Sequence, residues 1–288
     1  MVVRFFPFTK YHGKKSAGST NIRVNQVIKY WPEADNYKYG EKADVMIYQK
    51  VYWLPDWRYQ EHFDGIQILD ICDPDWLENV NVRRTIEYMD AVTCPTSSLQ
   101  KFIQQLTDKP VVMIPDRFDI SLIPKKPKVH KGPAKKLVWF GYSHNADLLA
   151  GAIPTIEKMG LELMVVSDDD PLPYRWAENE AEFKKNYRFY KYNEETIYDR
   201  LSENDICILP KGFRPKDRFK SNNKTIKAFL AGLPVARDID TLEKYLPEDA
   251  RNKASEYNYN KAMVDYDVQK SVEQYKELIN KLSTGVNK

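Results

Sequence analysis

Short apolar runs alternate with helix-patterned segments along nearly the whole chain, and this alternation restricts the fold more than any other feature. Val2–Phe6, Asp44–Tyr48, Gly65–Leu69, Ala91–Cys94 and Val111–Ile114 read as strands. Between them, Val24, Val27, Ile28 and Trp31 fall at i, i+3, i+4 and i+7 behind a capping Thr20. Val82, Ile86 and Met89 mark a second helix. Leu99, Phe102, Ile103 and Leu106 mark a third, opened by Thr96 or Ser97, with Gln100 completing a capping box. Strands that alternate with helices are joined by crossovers, so they pair in parallel with helices on both faces of the sheet.

The pattern restarts after a break. Pro124 to Lys136 holds three prolines, six lysines and no acid, the composition of an exposed linker. Beyond it, Lys136–Phe140, Leu161–Val166, Tyr187–Tyr192, Ile206–Leu209 and Leu233–Ala236 read as strands. Helices are expected at Glu194–Leu201, around Ile226, Phe229 and Leu230, and at Asp240–Leu246. Val268, Val272, Tyr275, Ile279 and Leu282 form the apolar stripe of a terminal helix. The expected organisation is therefore a Rossmann-like domain at 1–123, a basic linker at 124–136, a second Rossmann-like domain at 137–266, and a C-terminal helix at 267–288 that packs back on the first domain. A length of 288 residues suits two such domains.

Charge and cysteine content narrow the class. A net charge of +3 gives no overall argument for a nucleic-acid partner, although local clusters can. Cys72, Cys94 and Cys207 are odd in number and lack metal-ligand spacing, so they read as small buried hydrophobes in a reducing compartment. No apolar run reaches membrane-spanning length and no signal peptide is visible, so a soluble cytoplasmic protein is expected.

Several stretches carry chemistry. Asp70, Asp73 and Asp75 follow an apolar strand directly. Ligands of α/β sheets bind outside the carboxyl ends of strands, where a carboxylate can take a proton from a substrate hydroxyl. Asp73 and Asp75, flanking Pro74, equally suit turn and helix caps. Gly18 and Ser19, and later Gly141 and Tyr142, lie in loops where a ligand can approach the backbone. Ser167–Asp170 offers either a base or ribose contact or a turn with capping acids. Lys50, Tyr52, Trp53 and Trp57 follow a strand, as a stacking surface for a sugar or a flipped base, or as core.

The last stretch is Pro210–Val235. It carries Lys211, Arg214, Lys216, Arg218, Lys220, Lys224 and Lys227 against a single acid, Asp217. Ser221, Asn222 and Asn223 can each cap the helix that follows, and Gly232 closes it. A helix N-terminus surrounded by Lys and Arg suits a diphosphate. The alternative is a solvated charge run.

Three segments together resemble the GT-B glycosyltransferases, within their broad family-four-like group. Ala91-Val-Thr-Cys-Pro-Thr-Ser-Ser-Leu99 resembles the strand-to-helix step D-x-V-x-x-P-S-x-x-L. Val112-Met-Ile-Pro-Asp-Arg-Phe-Asp119 resembles the turn V-I-P-N-G-V-D. Asn223-Lys-Thr-Ile-Lys-Ala-Phe-Leu-Ala-Gly-Leu-Pro-Val235 resembles the donor segment N-K-x-x-E-x-x-A-x-G-x-P-V. The compact form looks most like the DNA-modifying glycosyltransferases of tailed phages. Two departures stand out: Lys227 and Phe219 occupy positions where the family carries glutamates that grip the donor.

The resemblance implies an α/β chain of two Rossmann-like domains with a donor cleft between them. It implies transfer of a sugar from a nucleotide sugar, UDP-linked as the first guess, without a metal ion or other cofactor. Donor contacts would come from Gly18, Ser19, Gly141, Tyr142, Arg218, Lys220, Ser221, Asn222, Asn223, Lys224 and Lys227. Asp70, Asp73 or Asp75 would be the acceptor-side base, and Lys50, Tyr52 and Trp53 would meet the acceptor. A 5-hydroxymethylpyrimidine of phage duplex DNA is the expected acceptor, with the host cytoplasm as the setting. A saccharide or protein hydroxyl is the alternative acceptor, and a non-catalytic nucleotide or polyanion-binding module is the alternative function.

Overall fold

The computed structural model describes residues 1–11, 13, 17–52, 63–78 and 80–285. Two compact units make up the chain. Unit 1 comprises Met1–Asp119, Arg214–Ser221 and Tyr266–Lys288; unit 2 comprises Ile120–Phe213 and Asn222–Asp265.

Unit 1 is built on a parallel sheet of β1 (Val3–Pro7), β2 (Ala34–Asn36), β3 (Val45–Gln49), β4 (Ile66–Asp70), β5 (Ala91–Cys94) and β6 (Val111–Met113), in the order β2-β1-β3-β4-β5-β6. Every residue of β3 and β5 is buried, as expected of central parallel strands covered on both sides. The two-residue period divides the core. Phe5, Val45, Ile47 and Ile68 face Val24, Val27, Trp31, Val272, Tyr275 and Ile279. Met46, Tyr48, Leu69 and Val92 face Val82, Ile86, Leu99, Ile103 and Phe219. The terminal helix Gln269–Ser283 thus covers one face, and Tyr275 stacks on Trp31 and meets Phe5 edge-on.

Two expected caps differ. The helix expected behind Thr20 starts at Gly18, after a short helix Phe8–Tyr11, and passes through a π-helical turn at Asn21–Asn25. Thr20 lies inside it and donates its hydroxyl to Gln49 Oε1 at 2.9 Å. Thr96 does cap the helix Ser97–Ile103, but Gln100 turns away and donates to the Val111 carbonyl at 2.9 Å instead of closing a box.

Unit 2 carries β7 (Lys136–Phe140), β8 (Glu162–Ser167), β9 (Tyr187–Lys191), β10 (Ile206–Ile208) and β11 (Val235–Ala236), all parallel in the order β11-β10-β7-β8-β9. The connections from β7 and from β10 leave in opposite directions, which places a topological switch point between these two strands. The segment expected as an exposed linker belongs to this unit. His130 is buried, with its backbone N–H on Asn252 Oδ1 at 2.8 Å and Nε2 3.0 Å from the Gly232 carbonyl. Gly232 has φ +73, and a Cβ there would lie 2.5 Å from the Lys128 nitrogen, so this crossing of two backbones requires glycine.

The helix Glu248–Asp265, which the apolar pattern did not reveal, underlies that segment. Its buried residues are Arg251, Ser255, Tyr259 and Ala262. Arg251 donates to the Gly132 and Leu246 carbonyls, and Ser255 Oγ to the Gly232 carbonyl at 2.7 Å.

Candidate functional site

In unit 2 the chemistry gathers at the switch point. The helix Asn223–Leu230 follows β10, and its first turn lies beside the end of β7. Asn222 stands at the cap position with φ −86 and ψ 20, and no side chain caps the helix. Its first N–H groups and dipole are thus presented without a side-chain acceptor. Lys224 Nζ lies 5.4 Å from the Trp139 ring centroid, and 3.1 Å from where a Cβ on Gly141 would be. Gly141 has φ +152, which leaves this spot open to a cation that a side chain would displace.

A second cation there was not foreseen. Arg237, just past β11, donates Nη2 to Thr225 Oγ1 at 2.8 Å, in the first turn of the same helix. Burial pushes the Cys207 thiol up to about 12, against the opposing pull of Lys224 and Arg237, so both charges are felt at β10. Its signal in the sequence is a lone basic residue directly after an apolar strand, which is weak.

Neighbouring residues take structural roles. Lys227 is buried, with Nζ 2.9 Å from both the Tyr192 hydroxyl and Glu194 Oε1. Its charge is committed to Glu194, which corrects its expected place among the phosphate ligands. Asp168 accepts from the Ser143 N–H at 2.7 Å, and Asp170 from the Leu172 N–H at 2.9 Å and the Tyr187 hydroxyl at 2.5 Å. Of the two readings of Ser167–Asp170, these contacts give the capped turn. Tyr142 is half exposed and stacks on His144 at 5.7 Å.

Arg218, Lys220 and Ser221 belong to unit 1. Lys220 pairs with Asp217 at 2.9 Å, and Ser221 Oγ donates to Asp116 Oδ2 at 2.5 Å. Arg218 is exposed and lies over the Phe219 ring. Phe219 is buried edge-on against Trp76 and Phe102, which stack on each other at 4.2 Å. An aromatic rather than a carboxylate stands here because the position is part of the unit 1 core.

At the carboxyl ends of the unit 1 strands the three aspartates have different fates. Asp70 is 1% exposed. Arg23 donates to both its oxygens, at 2.7 and 2.5 Å, and Thr93 Oγ1 donates at 2.7 Å. Arg23 also donates to Asp116 Oδ1 and the Ile114 carbonyl, each at 2.9 Å. Asp70 is thus the buried anchor of the π-helical turn, a correction to its expected role as a base. Asp73 and Asp75 instead share Lys50, whose Nζ lies 2.7 and 3.2 Å from them. Tyr52 is buried beside them. Gly18 and Ser19 form the first helical turn rather than an open loop, and Ser19 Oγ accepts from Gln49 Nε2 at 3.3 Å. Trp53 and Trp57 lie outside the described residues.

Among the described residues no helix is long and apolar enough to cross a membrane, and no group of three or more His, Cys, Asp or Glu is placed to hold a metal ion.

No protein-family model matches the sequence, and no curated protein matches it. Solved structures do match. Anabaena Alr3699/HepE in complex with UDP aligns over 98% of this chain and 100% of its own, at 11% identity and a TM-score of 0.61. AviGT4, a glycosyltransferase involved in avilamycin A biosynthesis, aligns over 99% and 98%, at 13% identity and 0.60. A mutant of S. aureus TarM, in complex with fondaparinux, alpha-GlcNAc-glycerol and UDP, aligns over 82% of this chain at 12% identity and 0.59. This chain spans about half, 55%, of the TarM length. The fold is that of the GT-B glycosyltransferases: two parallel sheets, each clothed in helices.

Proposed function

We propose that the chain is a glycosyltransferase that moves a sugar from a nucleotide sugar, with UDP as the nucleotide, to a hydroxyl acceptor. The observation that carries this reading is the uncapped start of the helix Asn223–Leu230 at the unit 2 switch point, flanked by Lys224 and Arg237. Asn222, Asn223 and Lys224 are the proposed diphosphate ligands, with Arg237 added to them and Gly141 giving the backbone access. Fixed positive charge here stabilises the diphosphate as it leaves, the main electrostatic demand of the reaction. The structures bound to UDP support the choice of nucleotide.

The test is calorimetric titration with UDP, GDP, ADP and dTDP, followed by release of nucleotide from the matching sugars. UDP is expected to bind, and Lys224→Ala to weaken it by about 10- to 100-fold, the worth of one charged hydrogen bond. Absence of binding by all four nucleotides overturns the assignment. Binding without turnover of any sugar supports the non-catalytic module instead. The acceptor is then found by mass shift, with hydroxymethylated DNA and simple saccharides offered in parallel. We favour a saccharide or small-molecule hydroxyl, because the relatives' crystallised ligands and named product are of that kind.

A further inference from the structure

The basic segment from Pro124 to Lys136 has the composition of a solvated linker, yet unit 2 holds it in place. It runs antiparallel to the helix Glu248–Asp265, which binds one carbonyl after another. Tyr259 donates its hydroxyl to the Pro124 carbonyl, Ser255 Oγ donates to the Lys128 carbonyl at 3.2 Å, Asn252 Nδ2 to the His130 carbonyl at 3.1 Å, and Arg251 to the Gly132 carbonyl. Arg251, Ser255 and Tyr259 are buried in doing so. A flexible linker needs no such hold. A surface that must present the same side chains in the same place does, because the ordering is then complete before a partner arrives.

What is presented combines cations with aliphatic groups. Lys125, Lys126 and Lys131 are exposed and make no ion pair among the described residues. Leu122 and Val129, between and beside them, are 62% and 72% exposed. Lys128 is withdrawn, with Nζ on the Asn204 carbonyl and 4.0 Å from Asp205. Acids stand at the far end: Glu248 accepts the Gly132 N–H, and Asp205 accepts those of Lys135 and Lys136. The unopposed charge is therefore concentrated at residues 122–131.

Lysines interleaved with exposed aliphatic side chains on a fixed backbone match the surface of an anionic bilayer. The ammonium groups meet the negative potential of the headgroups, and the aliphatic groups leave water at the acyl boundary. A nucleic acid fits less well, since residues 122–131 offer no arginine fork and no exposed aromatic ring for a base. We propose that residues 122–131 of unit 2 are a docking strip for an anionic lipid bilayer, with Lys125, Lys126 and Lys131 as its electrostatic contacts and Leu122 and Val129 as shallow insertions. Docking of this kind is peripheral and reversible, and it weakens as salt screens the lysines. No residue of the strip belongs to the proposed donor site, so bilayer docking and nucleotide binding are separable.

The experiment is flotation of the full chain with vesicles of phosphatidylcholine alone and of phosphatidylcholine with about one third phosphatidylglycerol. Wild type is expected on the anionic vesicles only, and to leave them as salt rises. Lys125→Gln combined with Lys126→Gln should weaken binding about 25-fold, roughly fivefold for each charge. Lys125→Arg with Lys126→Arg should keep it, and equal thermal midpoints show that both variants fold. Val129→Ser should weaken it about threefold and leave the salt dependence unchanged. The native cysteines Cys72, Cys94 and Cys207 are buried, so Val129→Cys accepts a polarity-sensitive fluorophore selectively. Its emission should move to the blue on anionic vesicles and stay in place with duplex DNA. No flotation at low salt, full binding by the double Gln variant, or DNA affinity equal to lipid affinity with no shift of the fluorophore overturns the proposal. UDP titration of the same samples reads the donor site separately.

Discussion

Lys227 and Glu194 form an ion pair of unequal depth. The lysine side chain is 5% exposed and the glutamate side chain 38%. The two halves of such a pair are not equivalent. Losing Lys227 leaves a carboxylate that water can reach, whereas losing Glu194 strands an ammonium in the interior. Glu194→Ala should therefore cost about 3 kcal/mol or more, the range for an uncompensated buried charge. Lys227→Met should cost clearly less. Urea midpoints decide it, and equal losses would show that Glu194 is not the counter-charge. Burial already lowers the Lys227 pKa, against the pull of Glu194. Without Glu194 the folded lysine sheds its proton more readily than the unfolded one, so the mutant should regain stability as pH rises toward the ordinary lysine value. Phe219 poses a simpler question of volume. It is buried with Trp76 and Phe102, and Phe219→Ala should cost about 3–5 kcal/mol by the same midpoint measurement. A loss under 1 kcal/mol would mean that the pocket collapses or the segment detaches.

At the scale of elements, Asp205 ties the start of β10 to that of β7. Its carboxylate accepts the Lys135 and Lys136 N–H groups at 2.9 and 3.0 Å, and its own N–H donates to the Lys136 carbonyl at 2.8 Å. Burial pushes the carboxyl up, but His130, those two N–H groups and Lys128 outweigh it and hold it well below the usual range. Its contribution is therefore present above the unfolded pKa, about 3.9, and lost as pH falls through the folded one. Asp205→Asn should be less stable than wild type at neutral pH, with the two curves converging under acid. Thermal midpoints against pH test this, and a constant gap would refute it. Elements differed in how far they could be read beforehand. β3 and β5 were legible as short apolar runs buried throughout, and the terminal helix because its apolar residues repeat with the helical period. β2 was not, because Ala-Asp-Asn offers no apolar run. The helix Glu248–Asp265 was not, because it buries Arg251 and Ser255, whose hydrogen bonds stand in for apolar contact. The site was read in part for a related reason. The basic helix start is local and visible. The closure of Asp70 depends on Arg23, 47 residues earlier, and the diversion of Lys227 on Glu194, 33 residues earlier; no local pattern records either pairing.

The whole molecule repeats one topological device with opposite chemistry. Unit 1 has its switch point between β1 and β3, and unit 2 between β7 and β10. Beside the first stands Lys50, whose ammonium bridges Asp73 and Asp75; the second is lined by Lys224, Arg237 and an uncapped helix start. Anionic ligand chemistry should therefore settle in unit 2 alone. Hydrogen exchange with saturating UDP is expected to slow the amides of residues 141–145 and 222–226 while leaving those of 70–78 unchanged. Lys224→Ala should erase the protection, and Asp75→Asn should keep it. At about 100 times its Kd, UDP should also add roughly 2.7 kcal/mol to the stability of the state that binds it. Protection confined to the strand ends of unit 1 would reverse the assignment, because a diphosphate placed there would face the carboxylates of Asp73 and Asp75, which Lys50 already bridges.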